Sequence, residues 1–189
     1  MTAFNRPLFA AIAILSGGAL CIISFLLIGK ASADNRMDSK DPATMPSSLK
    51  QSAVYLYFAD KGNSFLIAEK RVFSNSDNPA ELGTLIVKAL VDGPKEELMR
   101  TIPEGTTLRA FYIAQDGTAY LDFSNVITEQ HPGGCKSELI TIYSIVNSLI
   151  LNIPEIEAVK ILLEGLESNT LAGHIDLKLP FRANMLLIR

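Results

Sequence analysis

The residues best suited to chemistry are few. Cys135 and His131 share the loop HPGGCK, and a thiol beside an imidazole is the least that a nucleophile and its base require. Gly133 and Gly134 in the same loop fit a polar turn that needs backbone freedom, and that plainer reading is preferred. They make no phosphate cradle, because no Lys-Ser or Lys-Thr pair follows at the required spacing and no parallel strand precedes them. His174 and Asp176 alternate as neighbours on one strand face. A metal site wants three or four ligands, however, and His131 is the only other histidine. Ser124, in DFSN, lacks a Gly-x-Ser-x-Gly elbow and reads with Asp122 as a strand end with a local hydrogen bond. Tyr55, Tyr57, Phe111, Tyr112 and Tyr120 have the faces to stack on sugar rings, although packing within a sheet is the simpler use. Lys95-Glu96-Glu97 reads as a solvated, helix-like turn. No catalytic, cofactor-binding or metal-ligating set is assigned, and the chain is not read as an enzyme.

The elements that would position these residues are written more clearly. Leu82, Leu85, Ile86, Ala89 and Leu90 fall at i, i+3, i+4, i+7 and i+8, which predicts a helix with one buried face. Asn78 is its cap, Pro79 its first residue and Gly93-Pro94 its stop, with Glu81 near the positive end of the dipole. A second helix follows from Leu139, Ile142, Tyr143, Val146, Leu149 and Ile150, closed off by Pro154. Strands are predicted at residues 52–59 and 65–73, joined by the turn Asp60-Lys61-Gly62-Asn63. Both faces of the first are apolar, as in a central strand, while Glu69, Lys70 and Arg71 give the second a more exposed end. Residues 107–113 and 118–123 form a hairpin about Asp116-Gly117. Val159, Ile161 and Leu163 alternate with Lys160 and Glu164 as a fifth strand, and Ile175, Leu177 and Leu179 suggest a short last one. Hairpins outnumber crossovers. The expected fold is therefore α+β, a mixed and mostly antiparallel sheet with two helices packed on one face.

With 189 residues the chain holds one domain of ordinary size plus extensions, and its net charge of −3 argues against nucleic acid as a partner. Residues 7–29 carry no charge, about the length that crosses a bilayer as a helix and more than a signal-peptide core of roughly 7–15 residues. An uncleaved membrane anchor is favoured, with cleavage after Ala33 in Ala31-Ser32-Ala33 as the other reading. A lipid on Cys21 fits less well, since Leu20 is bulky and the apolar run continues past it. Lys30, Arg36 and Lys40 follow the segment while Arg6 alone precedes it, which by charge would place the domain inside. The N-terminal position and the Ala-x-Ala favour export instead. The organisation expected is a signal or anchor at 1–33, a flexible polar linker at 34–51 and a domain at 52–189.

Within that domain VYLYFAD, EKRVF, ALVDGPKEEL followed by IPEGT, DGTAYLDFS, YSIVNSL and EAVKILLEG occur in this order. The run 54–180 resembles the GerMN domain, named for sporulation and spore germination proteins of bacterial cell envelopes. The resemblance implies a non-catalytic module outside the cytoplasm, in lipoproteins or anchored envelope proteins, related in shape to ring-building modules. It carries over no agreed catalytic residues, and the chain departs from lipoprotein members in lacking a good lipobox. The expected partners are envelope proteins or further copies of the chain, with a peptidoglycan or other envelope glycan as the alternative.

Overall fold

The structure, a computed structural model, describes residues 51–74 and 77–189. The membrane segment, its cleavage site and all but the end of the linker lie outside the described residues. Among those described, no helix is long and apolar enough to cross a membrane.

Local chemistry accounts for most element ends. Strands β1 (Gln51–Ala59) and β2 (Leu66–Ser74) pair antiparallel. Asp60 closes their turn by accepting the N–H groups of Ser64 and Phe65 at 2.6 and 3.0 Å. Helix α1 (Pro79–Asp92) starts where Asn78 accepts the Ala80 N–H at 2.9 Å and ends at Gly93. Strands β3 (Leu108–Ile113) and β4 (Thr118–Phe123) turn through Asp116-Gly117, Gly117 at φ +78° and the Asp116 carboxylate on the Thr118 N–H. A one-turn helix α2 (Val126–Glu129) precedes α3 (Cys135–Ile150), and β5 (Ala158–Leu163) then lies parallel to β4.

The α+β class, the two long helices and five of the strands are as expected, but the single sheet is not. Two sheets form, β1–β2 alone and β3–β4–β5. The reason lies in α3, which takes the place of a third strand beside β1. It packs on β1 and β5, while α1 packs on β3 and β1 and the two helices touch each other. Between them is a core that includes Leu56, Phe58, Leu90, Leu121, Phe123 and Ile145. Each such side chain contributes about 1.5–3 kcal/mol on burial.

Three further expectations are corrected. The buried face of α1 is Gly83, Ile86, Val87, Ala89 and Leu90, whereas Leu85 is 37% exposed. The stripe starts at Gly83, which an apolar count passes over. A Cβ there would stand 2.3 Å from Cζ of Phe111, so the missing side chain is what admits the ring to the helix. Gly83→Ala is accordingly expected to destabilise the domain by about 1–3 kcal/mol through overpacking, although Ala is the better helix former by up to about 1 kcal/mol. Phe111→Leu in the same chain should recover part of the loss in a urea titration.

The last strand is also absent. Residues 175–179 are held instead by Lys160, which is buried rather than on a polar face and donates its ammonium to the carbonyls of Leu177 and Lys178. Finally, Glu69 is not at an exposed end. It is 1% exposed, for the reason given next.

Candidate functional site

Asp122, Ser124, His131 and Asp176, singled out for chemistry, each accept a backbone N–H, whereas the His174 ring meets Glu138 and Cys135 lies exposed. His131 is half-buried, with Nδ1 accepting the Gly133 N–H at 3.0 Å and Nε2 3.0 Å from the Thr141 hydroxyl. That hydroxyl in turn donates to the Thr101 carbonyl at 2.6 Å. Nδ1 as acceptor fixes the proton on Nε2, and burial, with His174 adding in the same sense and Glu138 opposing, holds the imidazole below its ordinary value. Neither ring nitrogen is used by Cys135, which lies exposed at the first turn of α3. Gly133 and Gly134 sit at φ +81° and +84°, the left-handed turn for which the sequence supplies glycine. A small cavity of about 170 Å³ lies beside this loop, between Thr101–Pro103 and the start of α3, and no acid, thiol or imidazole lines it.

His174 and Asp176 do not converge: the His174 ring is 3.1 Å from Glu138, while Asp176 accepts the Lys178 N–H. Ser124 accepts the Thr107 N–H, and Asp122 accepts the Gly165 N–H and pairs with Arg109. Among the described residues no group of three His, Cys, Asp or Glu side chains is placed to hold a metal.

Two buried carboxylates organise these elements: Glu69, which the charged run of β2 would leave at an exposed end, and Glu138, which no motif marks. Glu69 accepts the N–H groups of Lys95 and Glu96, both at 2.9 Å, and pairs through its other oxygen with Arg71. Arg71 reaches on to the Gly93 carbonyl at 3.0 Å, while Arg100 takes the carbonyls of Val91 and Asp92. The end of α1 thus has its unpaired carbonyls and its negative dipole met by two cations from elsewhere in the chain. The stretch EKRVF and the stretch DGPKEEL are the two halves of one clamp. Lys95-Glu96-Glu97 has exposed side chains but anchored backbone.

Glu138 is the second. It has no exposed surface, and it receives the N–H groups of Leu171, Ala172 and His174 at 2.8–3.0 Å. Burial pushes this carboxyl up, but the backbone N–H groups of Ala172, Ile175 and His174 and the His174 ring outweigh it and leave it below the usual carboxylate range. It holds the loop 170–174 on the first turn of α3.

The sheet edges differ in how they are closed. Ser144, Ser148 and Asn152, four residues apart, run along β1 and bond its free edge. Ser144 donates to the Tyr57 carbonyl, Ser148 accepts the Tyr57 N–H, and Asn152 both accepts from and donates to Tyr55. Beyond them Ala59 and Met99 exchange backbone bonds. The outer side of β5 is covered by reciprocal bonds between Val159 and Phe181 and by Leu166 on Leu163. β2 carries the charged run Glu69, Lys70 and Arg71, and Arg189 bonds its first residue. The outer side of β2 past Leu66 and that of β3 both have no backbone partner among the described residues, and of the two only β2 carries a charged run along the open stretch. The β3 edge opens into two grooves beside α1, one of about 300 Å³ at Phe111–Ile113 and one of about 370 Å³ at Thr106–Leu108. The aromatic group is divided between the sheets: Tyr55 and Tyr57 lie on β1, and exposed Tyr112 faces Tyr120 across β3 and β4. It forms no single platform.

A family model described as Germane, sporulation and spore germination, matches residues 55–169. The chain belongs to the Germane family. The match runs from β1 to beyond β5, so it takes in the Glu69–Arg71 clamp and the β3 edge of this Germane domain. Solved structures agree on the fold. A Clostridium perfringens protein described as a lipoprotein is 25% identical, with a TM-score of 0.52, over 73% of this chain and 91% of that one. The first GerMN domain of the sporulation protein GerM from Bacillus subtilis is 22% identical with a TM-score of 0.57, over 70% and 97% of the two chains. The tandem GerMN domains of the same protein match at 23% and a TM-score of 0.56, over 69% of this chain and 46% of that one. A search of curated proteins finds no match.

Proposed function

We propose that this Germane protein is a membrane-tethered, extracytoplasmic and non-catalytic interaction domain of the bacterial cell envelope. Its domain would hang from the apolar segment at residues 7–29 by the polar linker, and its partners would be envelope proteins or further copies of itself. The family and the lipoprotein among its structural relatives support the compartment. One observation carries the role: His131 and the buried carboxylates Glu69 and Glu138 are committed to backbone amides, while the uncharged strand edge of β3 is left open. An open edge takes polypeptide, because its unpaired N–H and C=O groups alternate at the spacing of another strand. The division of the aromatic residues between two sheets makes the glycan alternative the weaker one.

A photo-crosslinking residue at Tyr112 in the full chain, in its own cells, tests this. Adducts with protein are expected from Tyr112 and not from Val72 on β2. Absence of protein adducts from Tyr112, together with sedimentation of the chain on purified sacculi, would replace the reading with the glycan one.

A further inference from the structure

Resting on that interaction reading, we infer that the β3 edge is occupied by the β3 edge of a second copy of this chain, paired antiparallel about a two-fold axis through Phe111.

The backbone fixes the possible registers. The Ala114 N–H bonds the Thr118 carbonyl, so alternation along an antiparallel pair turns the N–H and C=O groups of Tyr112 toward β4 and those of Phe111 and Ile113 outward. Outward groups must meet outward groups. A two-fold axis must therefore pass through a residue of the strand and not between two, and of those residues Phe111 is the one that pairs with its own copy through outward backbone groups while setting Tyr112 against the small Ala110. Phe111 then faces its own copy on the side of α1, and Tyr112 faces the second copy's Ala110 on the outer side.

The side chains fit that arrangement. Residues 110–113, Ala-Phe-Tyr-Ile, are without charge, proline or glycine, the devices by which edges are normally blunted. The neighbouring cation, Arg109, is drawn back toward Asp122 and Glu164, at 3.3 and 2.9 Å, and the register shift beside it ends the usable edge. Nothing in the stretch repels its own copy, and a Tyr opposite an Ala leaves room for the ring. The two grooves lie at the two ends of β3, so the axis brings the Leu108 end of each strand to the Ile113 groove of the other. The buried Thr106 hydroxyl, without a hydrogen-bond partner among the described residues, lines one of them.

In this register Ala110 and the second copy's Tyr112 form a non-hydrogen-bonded pair with Cα atoms about 4.5 Å apart, inside the roughly 4.4–6.8 Å a disulfide spans. The test uses the full chain in detergent, with Cys135→Ser and Cys21→Ser as background. A mixture of Ala110→Cys and Tyr112→Cys chains should give a disulfide-linked dimer on mild oxidation, well above a mixture of Tyr112→Cys and Val72→Cys. Sedimentation should show Ala110→Lys with Tyr112→Lys in one chain weakening self-association by about tenfold or more, and Ala110→Lys with Tyr112→Glu leaving it near the parent. These positions are exposed, so the variants keep the fold. A linked mixture no stronger than the control, or a loss of association identical in the two charge variants, overturns the inference. If either occurs while the photo-crosslinker at Tyr112 still captures a different protein, the second copy is excluded and the interaction reading stands.

Discussion

Glu69→Ala should unfold this domain more readily than any substitution of an exposed residue, at a cost of about 3–5 kcal/mol. The carboxylate is 1% exposed and three groups depend on it: the N–H groups of Lys95 and Glu96 and the guanidinium of Arg71. Removing it leaves a nearly buried cation without its counter-charge and two amides without an acceptor. Arg71 also holds the Gly93 carbonyl, so the damage passes to the end of α1. A thermal melt should fall by roughly 10–20 °C for a domain of this size. Because the pair acts as a unit, the double variant Glu69→Met with Arg71→Met should cost less than the sum of its single changes. A sum that is simply additive would mean the two groups are not coupled.

Glu138→Gln is the second large effect, expected at about 3 kcal/mol. One oxygen can still accept from Leu171 and Ala172, but the amide nitrogen must then face the N–H of His174, donor against donor in a site with no exposure. The loop 170–174 should detach first, with faster proteolysis there before any global loss.

The carboxyl also sets a pH dependence. Its folded-state value lies below the unfolded one, so across that interval the unfolded chain binds more protons and stability rises with pH. The contribution is present above the ordinary glutamate value of about 4.3 and is lost as pH falls through the lower folded value. His131 acts in the same sense from about pH 6.5 downward, because it too is held below its ordinary value. The acid limb of a stability profile should therefore begin near pH 6.5 and steepen below pH 4.3, and Glu138→Gln should flatten the lower part while lowering His131 further, since the Glu138 charge no longer opposes its burial.

What the sequence made legible is what depends on near neighbours. Asn78-Pro79 and Gly93 bound α1 because caps act over two or three residues, and Asp116-Gly117 makes a hairpin because the turn is local. Glu69, Glu138 and Lys160 were misread or passed over for the opposite reason. Their partners lie 26, 36 and 17 residues away on unrelated elements, and no period encodes a carboxylate that meets a distant amide. The two-sheet arrangement was hidden in the same way, although its cause left a trace. Ser144 and Ser148 on α3 and Asn152 just past its end form a polar stripe at a spacing of four, which is how a helix and its exit can imitate a neighbouring strand. Leu85 was placed inside because a leucine outweighs a glycine in any apolar count, whereas the approach of Phe111 to Gly83 decided which side of α1 is buried.

Residue-resolved hydrogen exchange on the dilute, full chain tests the account where it is most exposed. Slow exchange is predicted at the amides of Tyr57, Lys95 and Glu96, whose acceptors are side chains, and fast exchange at Phe111 and Ile113, whose outer edge has no partner until the chain is concentrated. Fast exchange at Lys95 and Glu96, or protection of Phe111 and Ile113 in the dilute monomer, would contradict it.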